Sequence, residues 1–174
     1  MNETIKTILE RRSIKKYTNQ KVDEKLIEQI VTAGMYAPSG RNQQSPIILV
    51  ITKKEIRDKL AQMNAKIMGV DTDPFYGAPV VLVVLADKNC PTYLYDGSLV
   101  MENMMLAATS LGLGSCWIHR AKEEFETEEG KRLLASLGIS DQYEGIGNCI
   151  LGYPAEEKVV AKPRKDHYVY KIEE

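Results

Sequence analysis

Apolar residues recur at helical spacing from the start of the chain: Ile5, Ile8 and Leu9 predict a short helix over 2–10, with Asn2 placed to cap it and Glu3 in its first turn. A second helix is predicted from Asp23 as N-cap. Val22 and Ile27 hold the two positions of a hydrophobic staple, Leu26, Ile27, Ile30 and Val31 form its buried stripe, and Pro38 and Gly40 end it. The period then changes. Residues 47–51 are an unbroken apolar run that suits a strand covered on both faces. Thr52 and Glu55 form a capping-box pattern ahead of a third helix with Ile56, Leu60, Met63 and Ile67 on one side.

Pro79 precedes a second fully apolar strand over 80–86. Residues 94–111 then carry Leu99, Val100, Met101, Met104, Met105, Leu106, Ala107, Ala108 and Leu111, a helix apolar on most of its surface, which belongs in a core, a subunit interface or both. Gly112 and Gly114 stop it before a short strand over 115–118. Thr127 is placed to cap an amphipathic helix with Leu133, Leu134 and Leu137 that ends at Gly138. A strand over 144–151 is broken by the GYP of 152–154. The tail from Lys158 opens as a loop and closes on alternating Tyr168, Tyr170 and Ile172, a strand pattern. Helices first, then strands and helices mixed, with no repeat or Gly/Ser linker, predict one α+β domain over 1–174, built as a sandwich around one sheet. A Gly-rich loop directly after the first strand is missing, which speaks against a dinucleotide-binding Rossmann unit.

Composition adds bounds. Of 174 residues, 44% are hydrophobic and 27% charged, enough apolar material for a proper core. Lys and Arg total 23 against 24 Asp and Glu, so a net charge of −1 gives no general pull toward nucleic acid or acidic membranes, and local clusters must carry any anion binding. The chain shows neither a leader pattern nor the run of roughly 18 apolar residues of a membrane span, and the expectation is a soluble, cytoplasmic protein. Cys90, Cys116 and Cys149 lack ligand spacing, so reduced thiols are expected and no metal site.

Candidate chemistry lies in the basic and loop segments. Arg11, Arg12, Ser13 and Lys15 form either a solvated face or a grip on an anion, since guanidinium forks and a hydroxyl make charge-assisted hydrogen bonds to phosphate. Lys162, Arg164 and Lys165 behind Pro163 allow the same two readings. Between them, 37–46 (APSGRNQQSP) is either an ordinary turn or a rigid bend whose amides read the edge of a flat heterocycle. Glu123, Glu124, Glu128 and Glu129 read as a solvent-facing helix surface. His119 and His167 have no nucleophile partner nearby, and neither GxSxG nor HExxH occurs, so chemistry supplied by a bound cofactor is expected.

The segments RRSIKKY (11–17), APSGRNQQSP (37–46), YGAPVVLVV (76–84), GLGSCWI (112–118), GYP (152–154) and KPRK (162–165), in this order, resemble the FMN-dependent nitroreductase family over essentially the whole chain. The resemblance implies a mixed or antiparallel central sheet flanked by helices, in an intertwined homodimer with two FMN molecules in clefts between subunits. By motif position it implies Arg11 and Ser13, with Arg12 beside them, at the phosphate and ribityl chain, and Lys15 at the N1/O2 edge of the ring. Lys162 and Arg164 would reach the phosphate, Pro38, Ser39, Gly40 and Asn42 of the other subunit would flank the ring, and Trp117, Ile118, His119 and Arg120 would present backbone N–H near N5. The implied activity is hydride transfer from NADH or NADPH through flavin N5 to nitroaromatics, quinones or similar electrophiles, with ping-pong kinetics and no protein catalytic residue. Alternatives on the same fold are dehalogenation, enone reduction, flavin breakdown or a non-enzymatic FMN-binding regulatory dimer. The chain is at the short end of the family and lacks the long helical insertion that some members place over the site. His119 and Arg120 also stand where several relatives carry an acidic residue and glycine. An exchange of C-terminal tails between subunits is the usual family arrangement.

Overall fold

The computed structural model describes residues 1–156 and 159–173; the ends of the tail read above, Lys158 and Glu174, lie outside them. Asn2 caps α1 (Glu3–Glu10), its side chain accepting from the Ile5 N–H at 3.0 Å. Asp23 does the same for α2 (Glu24–Met35) through the Lys25 N–H at 2.9 Å, and Val22 and Ile27 of the staple are both buried. A 3₁₀ turn (Gly40–Asn42) leads into β1 (Pro46–Ile51). Then follow α3 (Lys54–Met68), β2 (Val80–Asp87), α4 (Tyr93–Ser110), β3 (Gly114–Ile118), α5 (Ala121–Glu126), α6 (Glu128–Ser136) and β4 (Tyr143–Gly152).

The four strands form one antiparallel sheet in the order β1-β2-β4-β3. Alternation along β2 sorts the core into two layers. Val80, Leu82, Val84 and Ala86 face α2 and α4, where Ile30, Met101 and Met104 are buried, while Val81, Val83 and Leu85 face α3, α5 and α6, with Leu60, Phe75, Phe125 and Leu134. β2 and β4 occupy the middle, so every apolar residue of β2 has cover on both faces. Among the described residues no helix is long and apolar enough to cross a membrane.

Four expectations need correction. β1 is not covered on both faces: it is an edge strand, and Val50 is 48% exposed. The Thr52–Glu55 capping box does not form; Lys53 is the N-cap of α3 and no side chain caps it. The alternating Tyr168, Tyr170 and Ile172 are not in a strand; they are exposed, and a lone segment has no neighbour to complete a hydrogen-bond ladder. The acidic stretch 123–129 is not one solvent-facing surface. It is two helices broken at Thr127, and Glu124 of the first is fully buried.

Candidate active site

After α1 the chain runs extended along β3. Ser13 bridges Ser115, the Ile14 N–H donates to Ser115 O at 2.9 Å, and Tyr17 bridges Pro154, so the basic run borders the β3 edge of the sheet. Gly114 permits this: a Cβ there would lie 2.9 Å from Ile14 Cβ. On this track odd and even residues point to opposite sides. Arg11, Ser13 and Lys15 share one side and gather over Cys116, whose thiol is pushed up by burial and eased down by the Ser13 hydroxyl, Lys15 and Arg11. Arg11 Nε also lies 3.5 Å from Glu102 Oε1 on α4, a partly exposed pair.

Arg12 points elsewhere. Its Nη1 donates to the carbonyls of Leu9 and Arg11 at 2.8 and 2.6 Å, closing the C-terminus of α1, where cations suit the helix dipole. It lines a separate depression with Gly112, Leu113 and Pro154. Lys15 Nζ sits 5.4 Å from the ring centre of Tyr76, a cation–π contact with a residue at φ +52°. Tyr76 belongs to this site, and only its place in the YGAP segment hinted at it. The loop is pinned by Asp73, which accepts from the Phe75 and Gly77 N–H groups at 2.8 Å each and pairs with buried Arg57.

Beyond β3 the turn carries His119, exposed, and Arg120, at φ +79°. Trp117 faces the α4 side, against Gly147, where a Cβ would lie 2.5 Å from its indole nitrogen, and Ile118 is buried on the opposite side. The His119 carbonyl accepts from Asn64 Nδ2 at 2.7 Å.

Pro38, Ser39, Gly40 and Asn42 are held far from this cluster, in the loop that enters β1 at the other edge of the sheet. Arg41, Asn42 and Gln44 all have positive φ (53°, 55° and 51°), a left-handed path that needs external support. Buried Asp96 provides it, accepting from the Gly40 N–H at 3.0 Å, Ser45 Oγ at 2.8 Å and Thr92 Oγ1 at 3.0 Å. No pattern in the sequence pointed to Asp96 as the anchor. The tail's Lys162 and Arg164 are exposed, and among the described residues no hydrogen bond or ion pair ties either to the body of the chain.

Apart from Arg12, the predicted residues thus fall into three groups: Arg11, Ser13, Lys15 and the 117–120 turn about β3, the 38–42 loop at the β1 edge, and the two tail cations. The first two groups therefore border opposite edges of the sheet, about three strand spacings of 4.8 Å apart.

Comparison with known proteins gives a consistent picture. Residues 8–153 match the model of the Nitroreductase family. A protein of Archaeoglobus fulgidus, provisionally named NADH dehydrogenase/NAD(P)H nitroreductase, is 34% identical over 163 residues, covering 91% of this chain and 89% of its own. The NADPH-flavin oxidoreductase of Vibrio harveyi is 29% identical, covering 97% of this chain and 72% of its own. The crystal structure of a nitroreductase with bound FMN from Bacteroides fragilis superposes with a TM-score of 0.90 at 27% identity, covering 99% of this chain and all of that one.

Proposed function

Because this chain belongs to the nitroreductase family and is an NAD(P)H-dependent flavin oxidoreductase with FMN as cofactor, we propose that it reduces nitroaromatics, quinones or related electrophiles as a homodimer. One observation carries this reading: Arg11, Ser13 and Lys15 converge at the β3 edge beside the 117–120 turn, while the loop expected to flank the ring is built rigidly at the opposite edge. Two copies of the chain bring both halves together.

The donor set suits FMN. A phosphate dianion takes charge-assisted bonds from a guanidinium and a hydroxyl, which Arg11 and Ser13 offer on one side of an extended segment. Lys15 places an ammonium against the N1/O2 edge, where negative charge develops, and Tyr76 braces it. The 117–120 turn presents backbone N–H groups near N5. The partner subunit's Pro38, Ser39, Gly40 and Asn42 flank the ring, and Lys162 and Arg164 of the tail complete the phosphate grip. Arg12 supports this segment from behind through the end of α1. When bound, FMN supplies the redox chemistry, accepting a hydride at N5 and passing it on. A nicotinamide and then an acceptor would use one slot over the ring in turn, and ping-pong kinetics are expected of that shared site.

The purified protein is expected to be yellow, to bleach on addition of NADH or NADPH, and to recover colour with a quinone. Arg11→Ala is expected to weaken FMN binding, measured by fluorescence titration, by about 1.5–3 kcal/mol. A colourless protein that FMN does not stain, or unchanged affinity in the variant, contradicts the reading.

A further inference from the structure

Beneath the turn after β3 lies a polar cluster sealed from solvent that the chemistry above does not use. Glu124 of α5, Asn64 of α3 and Asn148 of β4 are all 0% exposed. Asn148 Nδ2 donates to both carboxylate oxygens of Glu124, at 3.1 and 3.0 Å. Asn64 Nδ2 donates to Glu124 Oε1 and, at 2.7 Å, to the carbonyl of His119. The amide oxygens of Asn64 and Asn148 are buried and without a partner. A pair of amides spending their N–H groups on one carboxylate while leaving their own oxygens unbonded is the arrangement of an anion, and it sits at the foot of the segment expected to face flavin N5.

We propose that Glu124 is a positioning residue: acting through Asn64, its ionised carboxylate fixes the His119 carbonyl and so aims the His119–Arg120 turn at the flavin. The proposal rests on the flavin site described above. Two features make it more than packing. Arg120 leaves β3 at φ +79°, a conformation the turn keeps only if its neighbours are held, and among the described residues the one side-chain bond to the His119 carbonyl comes from Asn64. An added proton on Glu124 would also need an acceptor. The unbonded oxygens beside it belong to the same two amides, so one amide must turn over, and the remaining bond to a neutral acid is roughly half as strong. Either change loosens Asn64, and with it the turn.

Burial raises the Glu124 carboxyl to about 7, against the two amides, which lower it. The charged groups facing it are Glu123, which adds to the rise, and Arg120, which opposes it; α3 and β4 present only the amides. From pH 8 to pH 6 the ionised fraction then drops from about nine-tenths to about one-tenth.

The test follows amide hydrogen exchange of a peptide spanning 114–125, corrected for intrinsic rates, together with the pH profile of NADPH-driven quinone reduction. In the wild type, protection of 119–121 is expected to fall severalfold, at most about tenfold, from pH 8 to pH 6, with kcat falling in parallel and KM for NADPH little changed. In Glu124→Gln, which stays neutral and matches the amides with its own donor and acceptor, both quantities are expected to lose the step. Asn64→Leu is expected to be poorly protected at both pH values. A wild type without the step, or a step that persists in E124Q and so belongs to another group, overturns the proposal. E124Q is isosteric, so a failure of Asn64→Leu to fold leaves the decisive comparison intact. FMN titration at pH 8 is read separately: a chain that takes no FMN fails the functional reading, while the exchange step by itself decides whether Glu124 holds the turn.

Discussion

Glu124 shows how a residue's chemistry is set by its surroundings. In the chain it is one of five acids within seven residues; in the fold it is the acid facing inward between α3 and β4. Its pKa in the folded chain is about 7, above the ordinary 4.5, so between these values the folded chain retains a proton that the unfolded chain has released. Stability therefore falls as pH rises through that window, and the gap corresponds to roughly 3 kcal/mol lost by pH 8. Glu124→Gln is expected to unfold in urea with a free energy about 1–3 kcal/mol above wild type at pH 8, the advantage vanishing near pH 4. An equal or lower value at pH 8 contradicts the burial argument. A site that keeps a costly charge for the sake of geometry is a familiar trade of stability against function. The inward turn of Glu124 was not legible, because EEFETEE has the look of a charged surface and its two partners lie 60 and 24 residues away in the chain.

At the level of elements, most local signals act as their neighbours dictate, the Thr52–Glu55 pattern being an exception. The caps Asn2, Asp23 and Thr127, the staple at Val22 and Ile27, and the apolar β2 all behave as their neighbours in sequence predict. The loop 38–45 divides. Its Pro and Gly announce a rigid bend, but its left-handed path depends on Asp96, 56 residues from Gly40. Gly40 is also required sterically, since a Cβ there would lie 2.3 Å from Thr92 Oγ1. Gly40→Ala is expected to cost about 1–3 kcal/mol in urea unfolding and to weaken FMN binding from the partner's side. Adding Thr92→Ala, which removes the clashing hydroxyl, should recover part of that loss; no recovery would place the cost in the backbone. Helix α4 was recognised as apolar all round, yet periodicity could not say which face its own chain covers. The fold buries Val100, Met101, Met104 and Met105 and leaves Leu94, Tyr95 and Leu99 at 49%, 72% and 42% exposed.

For the whole molecule, the exposed apolar residues form a further argument for two chains. Ile5, Ile8 and Leu9 of α1 and the outer face of α4 are joined by a tail whose Tyr168, Val169, Tyr170 and Ile172 are 69% to 101% exposed. That much exposed apolar surface on one 19.6 kDa chain fits the proposed homodimer. The unpaired edge of β1 and the strand pattern of the tail are complementary, and a tail laid on the partner's β1 would satisfy both. Sedimentation equilibrium is expected to give a mass near twice that of the chain, and removal of residues 159–174 is expected to yield a monomer, or a weakened dimer, that no longer retains FMN on dilution. A truncated chain that stays dimeric and yellow contradicts the exchanged-tail arrangement.

The sequence by itself determined most of the helices, the four strands of the sheet and the ordered motifs from RRSIKKY to KPRK, because caps, turns and hydrophobic periods depend on residues a few positions apart. Tertiary structure alone decided that Arg12 turns away from Ser13, that Glu124 and Asp96 are buried anchors, and that the basic run and the 38–42 loop border opposite edges of one sheet. These outcomes depend on which distant segments share a layer, and burial and long-range hydrogen bonding are properties of that packing rather than of any local stretch of chain.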